Sequence, residues 1–230
     1  MIEEPKSLRI GPDVNRRPTP EQVAAFQGVP TGFVVDAMFG AGAMGAAISP
    51  LAESNNQVAG PALTADNRPS DLLATLGCLR YLKSGDVLIG GAQGWQGCAA
   101  AGDRVCGMAK NAGAAAFVTD GPMRDYAGVL EVELPCWCTG LNPGSPYGTG
   151  PGQVGTRVLV GGQTVETGDM IVADRDGVVV VPFDQIDAVA RRAAHIMTLE
   201  ADGERAVKDG LVMPQSYEDL LDSDRVKWID

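Results

Sequence analysis

The run "DVLIGGAQGWQGCAAAGDRVCGMAKNAG", Asp86 to Gly113, decides the fold. An apolar stretch, a glycine-rich turn and a second stretch with helical spacing read as strand, loop and helix, the helix over 98–112. Such a turn lies where open α/β sheets gather ligands. Its glycines let the backbone approach an anion, and the helix start offers unpaired N–H groups. Gly91, Gly94 and Gly97 are spaced G-x-x-G-x-x-G, unlike the G-x-G-x-x-G of a dinucleotide site, and the lysine and hydroxyl of a P-loop are missing. Two readings stay open: a tight turn with no ligand, or a seat for a small carboxylate or phosphate.

The flanking sequence repeats the pattern. "TPEQVAAFQG" has Thr19, Pro20, Gln22 and Gly28 placed as N-cap, first helical residue, capping-box partner and terminator. "TGFVVDAMFG" starts a second short helix at Thr31. "QVAGPALTA" predicts a strand, and "PSDLLATLGCLRYLKSG" an amphipathic helix from Ser70. Strand "AAFVTDG", a short helix near 124–131 and strand "PCWCTGL" follow, giving β-α units of a parallel sheet. Residues 142–155, with three Pro and five Gly, read as an ordered surface loop. Past them, "TRVLVGGQTVETGDMIVADRDGVVVVP" turns antiparallel, with "GG" and "DG" as hairpin dipeptides. A helix begins after Asp184, and an acidic tail carries Leu220, Leu221 and Trp228, residues expected to pack on a neighbouring subunit.

The chain has 230 residues, 45% of them hydrophobic, and a formal net charge of −11, which disfavours nucleic acid as a partner. No signal-peptide pattern or long apolar run is present, so a soluble cytoplasmic protein with no membrane contact is expected. The five cysteines read as reduced, buried thiols, and a single histidine rules out a histidine-rich zinc site. We expect one α/β domain over 1–183, including the N-terminal helical segment, and an interface-forming C-terminal helix and tail over 184–230.

Strand "AAFVTDG" ends in "DGPMRD", which places Arg124 and Asp125 past its carboxyl end. Asp103 holds the corresponding place one unit earlier, with twenty residues between it and Arg124. Two carboxylates and a guanidinium can thus meet in one crevice. Arginine suits a planar carboxylate and the aspartates suit a hard divalent cation, although an Arg–Asp surface pair at a helix start explains the same residues.

The runs "GDVLIGG", "AAAGD", "AGAAAFVTDGPMRD", "LPCW" and "GGQTVETGDMIVADRDGVVVVP" resemble the RraA-like family, which includes the class II 4-hydroxy-4-methyl-2-oxoglutarate/4-carboxy-4-hydroxy-2-oxoadipate aldolases. The likeness spans roughly 30–185 and includes the D-x20-R-D pattern of Asp103, Arg124 and Asp125. It implies a three-layer α/β/α fold related to swivelling phosphohistidine domains, here with a C-terminal helical extension. It also implies homotrimers or dimers of trimers, and Mg²⁺- or Mn²⁺-dependent cleavage of 4-hydroxy-2-keto acids to pyruvate, with oxaloacetate decarboxylation.

Carried onto this sequence, the resemblance makes Asp125 a direct metal ligand and Asp103 the holder of a water on that metal. Arg124 would grip the substrate carboxylate beside the N–H groups of Ala99, Ala100, Ala101 and Gly102. Glu200 of a neighbouring subunit, or Glu204, would add a water-mediated contact. Met123, Trp95 and Gln96 depart from the usual family pattern and bear on substrate identity.

Competing readings are weighed on residues. An imine mechanism needs a desolvated lysine, and Lys6, Lys83, Lys110, Lys208 and Lys227 all fall away from the carboxyl ends of predicted core strands. His195 reads as a packed or surface helical residue, and "DRDG", Asp174 to Gly177, as a hairpin rather than a metal loop. A non-catalytic regulator of an RNA-processing enzyme is the alternative function. A methyltransferase is disfavoured because no G-x-G-x-G turn follows a first strand.

Overall fold

The computed structural model describes residues 6–53 and 57–229. In chain order the elements are β1 (Leu8–Ile10), α1 (Pro20–Ala24), α2 (Thr31–Ala37), β2 (Ser49–Pro50), β3 (Val58–Asp66), α3 (Leu73–Cys78), β4 (Val87–Gly91), α4 (Asp103–Asn111), β5 (Ala116–Thr119), α5 (Tyr126–Val132) and β6 (Cys136–Cys138). Then come β7 (Gly152–Val154), β8 (Val158–Val160), β9 (Gln163–Val165), β10 (Met170–Ala173), β11 (Val178–Val181), a 3-10 turn, α6 (Ile186–Lys208) and α7 (Gln215–Leu221). Two compact units result, Met1–Ala193 and Ala194–Asp230.

The first unit is a mixed α/β fold around one sheet of order β1-β7-β3-β4-β5-β6-β2. β3 to β6 run parallel, as the β-α repeats require. β3 serves two partners along its length: Val58–Pro61 pair antiparallel with β10, and Ala62–Asp66 pair parallel with β4. Its nine residues are buried except the last, and such a run without alternation is the mark of a strand covered on both faces.

The alternation is still visible in what each side chain meets. Leu63, Leu88 and Phe117 pack with Val105, Cys106 and Ala109 of α4 and Val129 of α5. Their neighbours Ala62, Val87, Ile89, Ala116 and Val118 pack on the opposite face, against Val158, Val160, Val165, Ile171 and Val180. Helices therefore cover one face, and hairpins β8–β9 and β10–β11 cover the other.

Local chemistry sets the element boundaries. Thr19 and Gln22 close the predicted capping box on α1. The "GG" and "DRDG" turns give antiparallel pairs, and Asp174 accepts from Thr31 N (2.8 Å), Thr31 Oγ1 (2.7 Å) and Asp176 N (2.9 Å). "DRDG" thus works as a hairpin that also caps α2.

Helix 98–112 of the sequence reading begins five residues later, at Asp103. Ala99 N–H donates to Gly144 O (3.0 Å) and Ala100 N–H to Pro122 O (2.7 Å), which holds this stretch extended. The helix expected from Ser70 starts at Leu73, after Ser70 takes a positive φ of 63° and Asp71 Oδ1 accepts Leu73 N–H. Three short strands were not readable: β1, β2, which pairs antiparallel with β6, and β7 inside the expected loop 142–155, which pairs parallel with β1 and antiparallel with β3.

All five cysteines are buried, and none forms a disulfide among the described residues. His195 is exposed on α6. Among the described residues, no helix is long and apolar enough to cross a membrane.

The N-terminal arm is fixed by one buried ion pair. Arg17 Nε and Nη2 donate to Asp86 Oδ1 and Oδ2 at 2.7 and 2.6 Å, at the entrance to β4. Their side chains keep 11% and 1% of their exposure. Removing one partner strands a buried charge, so Arg17→Ala is expected to cost about 3 kcal/mol in urea unfolding. Arg175→Ala, which breaks the exposed Arg175–Glu53 pair, should cost less than about 1 kcal/mol.

Candidate active site

The carboxyl ends of β4 and β5 carry the residues expected to act together, and their loops are laced to each other. Met123 bridges Ala101 on one side and Leu141 on the other, and Arg124 N–H donates to Ala101 O at 3.1 Å. Gly102 caps α4 with extended backbone, and its carbonyl accepts Cys106 N–H. A Cβ on Gly102 would stand 2.4 Å from Asp125 Oδ2 and 3.0 Å from Arg124 Cγ, so only glycine lets the two loops close up here. Gly128 does the same for Asp103: a Cβ there would fall 2.6 Å from Asp103 Oδ2.

Asp103, Arg124 and Asp125 thereby line one cleft of about 240 Å³, with Leu72, Gly102, Ser145 and Pro146. A second recess, about 360 Å³, opens on the other side of Arg124 and Asp125 and is lined by Met123, Tyr126, Leu141, Asn142 and Pro143. Asp125 precedes α5 in the left-handed region, φ 57° and ψ 44°, which aspartate and asparagine tolerate better than most residues.

Arg124 is held from two sides. Nε donates to Asp125 Oδ2 at 2.9 Å and Nη1 donates to Ser145 Oγ. Of its five N–H donors, those remaining at the guanidinium tip suit a planar carboxylate. Ser145 was invisible in the sequence, one hydroxyl in a Pro- and Gly-rich loop. That loop is anchored by Asp71, which accepts from Thr149 N (2.8 Å) and Gly150 N (2.9 Å). Burial pushes the Asp71 carboxyl up, but the N–H groups of Leu73, Gly150 and Thr149 outweigh it and hold it below its ordinary range.

The glycine turn turns out to serve an anion of the protein's own. Asp120, 8% exposed, accepts Ala92 N–H on Oδ1 at 2.6 Å and Gly94 N–H on Oδ2 at 2.8 Å. Gln96 Nε2 donates to Asp120 O (2.9 Å), Gln96 Oε1 accepts from Thr139 Oγ1, and Gln96 O accepts from Asn142 Nδ2. The clue in the sequence was an aspartate directly after the apolar strand "AAFVT".

One expectation is corrected. The N–H groups of Ala99 and Ala100 are engaged by Gly144 O and Pro122 O, so they are not donors for a substrate carboxylate. Gly102 and the first residue of α4 have no acceptor for their N–H groups among the described residues.

The donor set is all oxygen. Asp103 Oδ1 accepts Arg104 N–H at 2.6 Å, and Asp125 Oδ2 accepts from Arg124, which leaves one oxygen on each aspartate. Among the described residues no group of three or more His, Cys, Asp or Glu could hold a metal. Two carboxylates fit a hard ion that keeps much of its water, as Mg²⁺ does, and would not fit a closed protein cage. Glu200 and Glu204 are exposed on α6, within residues 194–230, and Glu204 pairs with Lys208 at 3.6 Å.

A family model for RraA-like proteins, described as Aldolase/RraA, matches residues 31–180. A protein of Halalkalibacterium halodurans named "Putative 4-hydroxy-4-methyl-2-oxoglutarate aldolase" is 35% identical over 195 residues, 85% of this chain and 92% of its own. An uncharacterized protein from Pseudomonas syringae pv. tomato superposes with a TM-score of 0.78 at 23% identity, over 89% of this chain and 96% of its own, a likeness of fold alone. Streptomyces coelicolor RraAS2, described as an unusual member of the RNase ES inhibitor RraA protein family, gives 0.69 at 28% identity, over 82% of this chain and 99% of its own.

Asp120 offers a direct test of the laced loops. Asparagine keeps one acceptor but turns an amide NH₂ toward the second backbone N–H. Asp120→Asn should cost about 1–3 kcal/mol and speed amide exchange at Ala92 and Gly94. Burial raises the Asp120 carboxyl above its ordinary 3.8, against the pull of the N–H groups of Ala92 and Gly94. The folded chain therefore holds this proton more tightly than the unfolded one. The stability it contributes is fully present below pH 3.8 and is lost as pH rises through the raised native value. Urea melts should show the margin of wild type over Asp120→Asn shrinking as pH rises across that window.

Proposed function

The chain belongs to the RraA-like family, and from that premise we propose that it is a divalent-metal-dependent aldolase. It cleaves 4-hydroxy-2-keto acids of the 4-hydroxy-4-methyl-2-oxoglutarate type to pyruvate, and it decarboxylates oxaloacetate. The observation that carries this reading is the meeting of Asp103, Arg124 and Asp125 in one cleft.

The guanidinium tip of Arg124, braced by Asp125 and Ser145, takes the substrate carboxylate and fixes its plane. The N–H groups at the start of α4 add positive potential to the same end. Asp125 would hold Mg²⁺ or Mn²⁺, and Asp103 would hold a water on it. When bound, the ion supplies Lewis-acid polarisation of the keto group.

With the carboxylate fixed, the C3–C4 bond stands across the plane of the keto group. The 4-hydroxyl gives up its proton toward Asp103 Oδ2 through water. As C4 becomes a carbonyl, the electron pair of the broken bond moves into the keto acid, and a proton returned to C3 completes pyruvate. In oxaloacetate the same electron flow releases carbon dioxide.

Glu200 of a neighbouring subunit is assigned to complete the ion's surroundings, because one chain offers only two carboxylates there. Glu200, which makes no ion pair among the described residues, fits this better than Glu204, which already pairs with Lys208. Tyr126 (43% exposed) and Leu141 (58%) rim the second recess, and such an apolar rim supports a subunit contact in a trimer or dimer of trimers. The likeness to RraAS2 favours one rival, a regulator that binds an RNA-processing enzyme without turnover.

Pyruvate release from 4-hydroxy-4-methyl-2-oxoglutarate or oxaloacetate should stop with EDTA and return with Mg²⁺ or Mn²⁺. Absence of turnover together with binding to an RNA-processing enzyme would establish the rival. Arg124→Lys keeps the charge but loses the fork, so KM should rise and kcat fall, with about a hundredfold loss in kcat/KM and no rescue by excess metal. Asp125→Asn keeps a side chain that suits the left-handed backbone and loses the charge, so activity should recover in part at high Mg²⁺ or Mn²⁺. The opposite pattern of rescue would reverse the two roles.

For Glu200, co-expressing Glu200→Ala with Arg124→Ala chains should restore part of the activity that each variant alone lacks. Failure to complement, with mixed oligomers confirmed by mass, would place Glu200 outside the site.

A further inference from the structure

We propose a second anion site, separate from the Arg124 cleft, that binds a phosphate group. It is a pocket of about 170 Å³ lined by Lys6, Arg9, Asp66, Arg68, Gln93, Pro151, Gly152 and Gln153. Strand register builds it. Arg9 of β1 pairs with Gln153 of β7, Gln153 pairs with Asp66 of β3, and Asp66 pairs with Gly91 of β4. Directly paired residues project to the same face, so Arg9, Gln153 and Asp66 form one row. Arg68 and Gln93 each lie two residues beyond a member of the row, past the ends of β3 and β4, and Lys6 precedes β1.

The charges make this a site. In a chain of net charge −11, three cations gather around one carboxylate. Among the described residues Lys6, Arg9 and Arg68 make no ion pair, so their charges are not taken up by the chain's own carboxylates. Two strand spacings, roughly 10 Å, separate Arg9 from Asp66, and Gln153 Nε2 donates to Asp66 Oδ2 at 3.3 Å between them. The pocket is too small for a nucleotide and suits a compact oxyanion.

Asp66 narrows the choice. Its other oxygen is an acceptor only, so it favours an oxyanion that still carries a proton. Hydrogen phosphate does at neutral pH, whereas sulfate and the dianion of a phosphate monoester do not. Lys6 and Arg9 precede residue 31, where the family match begins, so the site is a property of this chain's N-terminal strand.

The test is calorimetry on the full chain in phosphate-free buffer, titrating inorganic phosphate, methyl phosphate and sulfate. Phosphate should bind once per chain, and sulfate at least about tenfold more weakly. Arg9→Ala and Arg68→Ala, both at exposed positions, should each weaken phosphate about tenfold or more, and Asp66→Asn should bring sulfate close to phosphate. Arg124→Ala should leave phosphate binding unchanged, which separates this site from the proposed catalytic cleft whatever the fate of the aldolase reading. Methyl phosphate, mainly a proton-free dianion at neutral pH, should bind about as weakly as sulfate, and binding equal to that of the inorganic ion would overturn the selection by Asp66. Binding of inorganic phosphate alone would identify the free ion. No heat at millimolar phosphate, equal binding of sulfate by the wild type, or loss of binding in Arg124→Ala would overturn the proposal.

Discussion

The carboxylate of Asp120 is the constraint from which the site hangs. It lies at the end of β5 and takes the first backbone donors past β4, one on each oxygen. That divides two hydrogen bonds to a charged group between two neighbouring strand ends, and charge-assisted bonds of this kind are stronger than neutral ones. From there the lacing continues through Pro122 O to Ala100 and through Ala101 O to Arg124. Gln96 carries it across to Thr139 and Asn142 of the next strand end. Arg124 is thus set by a backbone ladder whose first rung is ionic, and its guanidinium starts from a fixed position.

This arrangement explains why the loops can be rich in glycine without being loose. Glycine loses more conformational freedom on folding than other residues, and a bare Gly-rich turn would be a poor platform for an oriented arginine. Here each loop is closed by a buried or half-buried polar anchor: Asp120 for the turn after β4, Asp71 for the Pro-rich segment carrying Ser145, and Asp174 for the hairpin against α2. An acidic chain with few cations can use its own carboxylates against backbone N–H groups, which every residue but proline supplies.

How far the sequence could be read follows from the range of each interaction. The parallel strands and their helices were legible because burial on both faces leaves unbroken apolar runs, and capping boxes and hairpin dipeptides are local. Asp103, Arg124 and Asp125 were legible because strand ends repeat at the period of the β-α unit. β1, β2 and β7 were not, since a strand of two or three residues is too short to carry a pattern of its own and exists only through its partners. The helix start at Asp103 was missed for the same reason: Pro122 and Gly144, distant in sequence, hold residues 99 and 100 extended. Ser145 and Asp120 act through the tertiary fold, and no spacing rule announces a hydrogen bond across 21 or 26 residues.

The balance of charge bears on how an anionic keto acid can approach a chain of net charge −11. At physiological ionic strength, charges beyond about 8 Å are largely screened, so what a carboxylate meets in the cleft is set by its immediate neighbours. Those are the tip of Arg124 and the N-terminus of α4, with Asp103 and Asp125 close by. Left to themselves, the two aspartates would offset the guanidinium. On the proposed reading, a divalent ion beside them would reverse the sign of that half of the cleft, and substrate affinity and metal occupancy would be linked through the same two carboxylates. Metal and keto acid then each favour the other's binding by the same factor. In the aldolase proposed for this cleft, the coupling would need no moving part: the ion would make the cleft positive, and Arg124, already braced by Asp125 and Ser145, would decide which way round the acid lies.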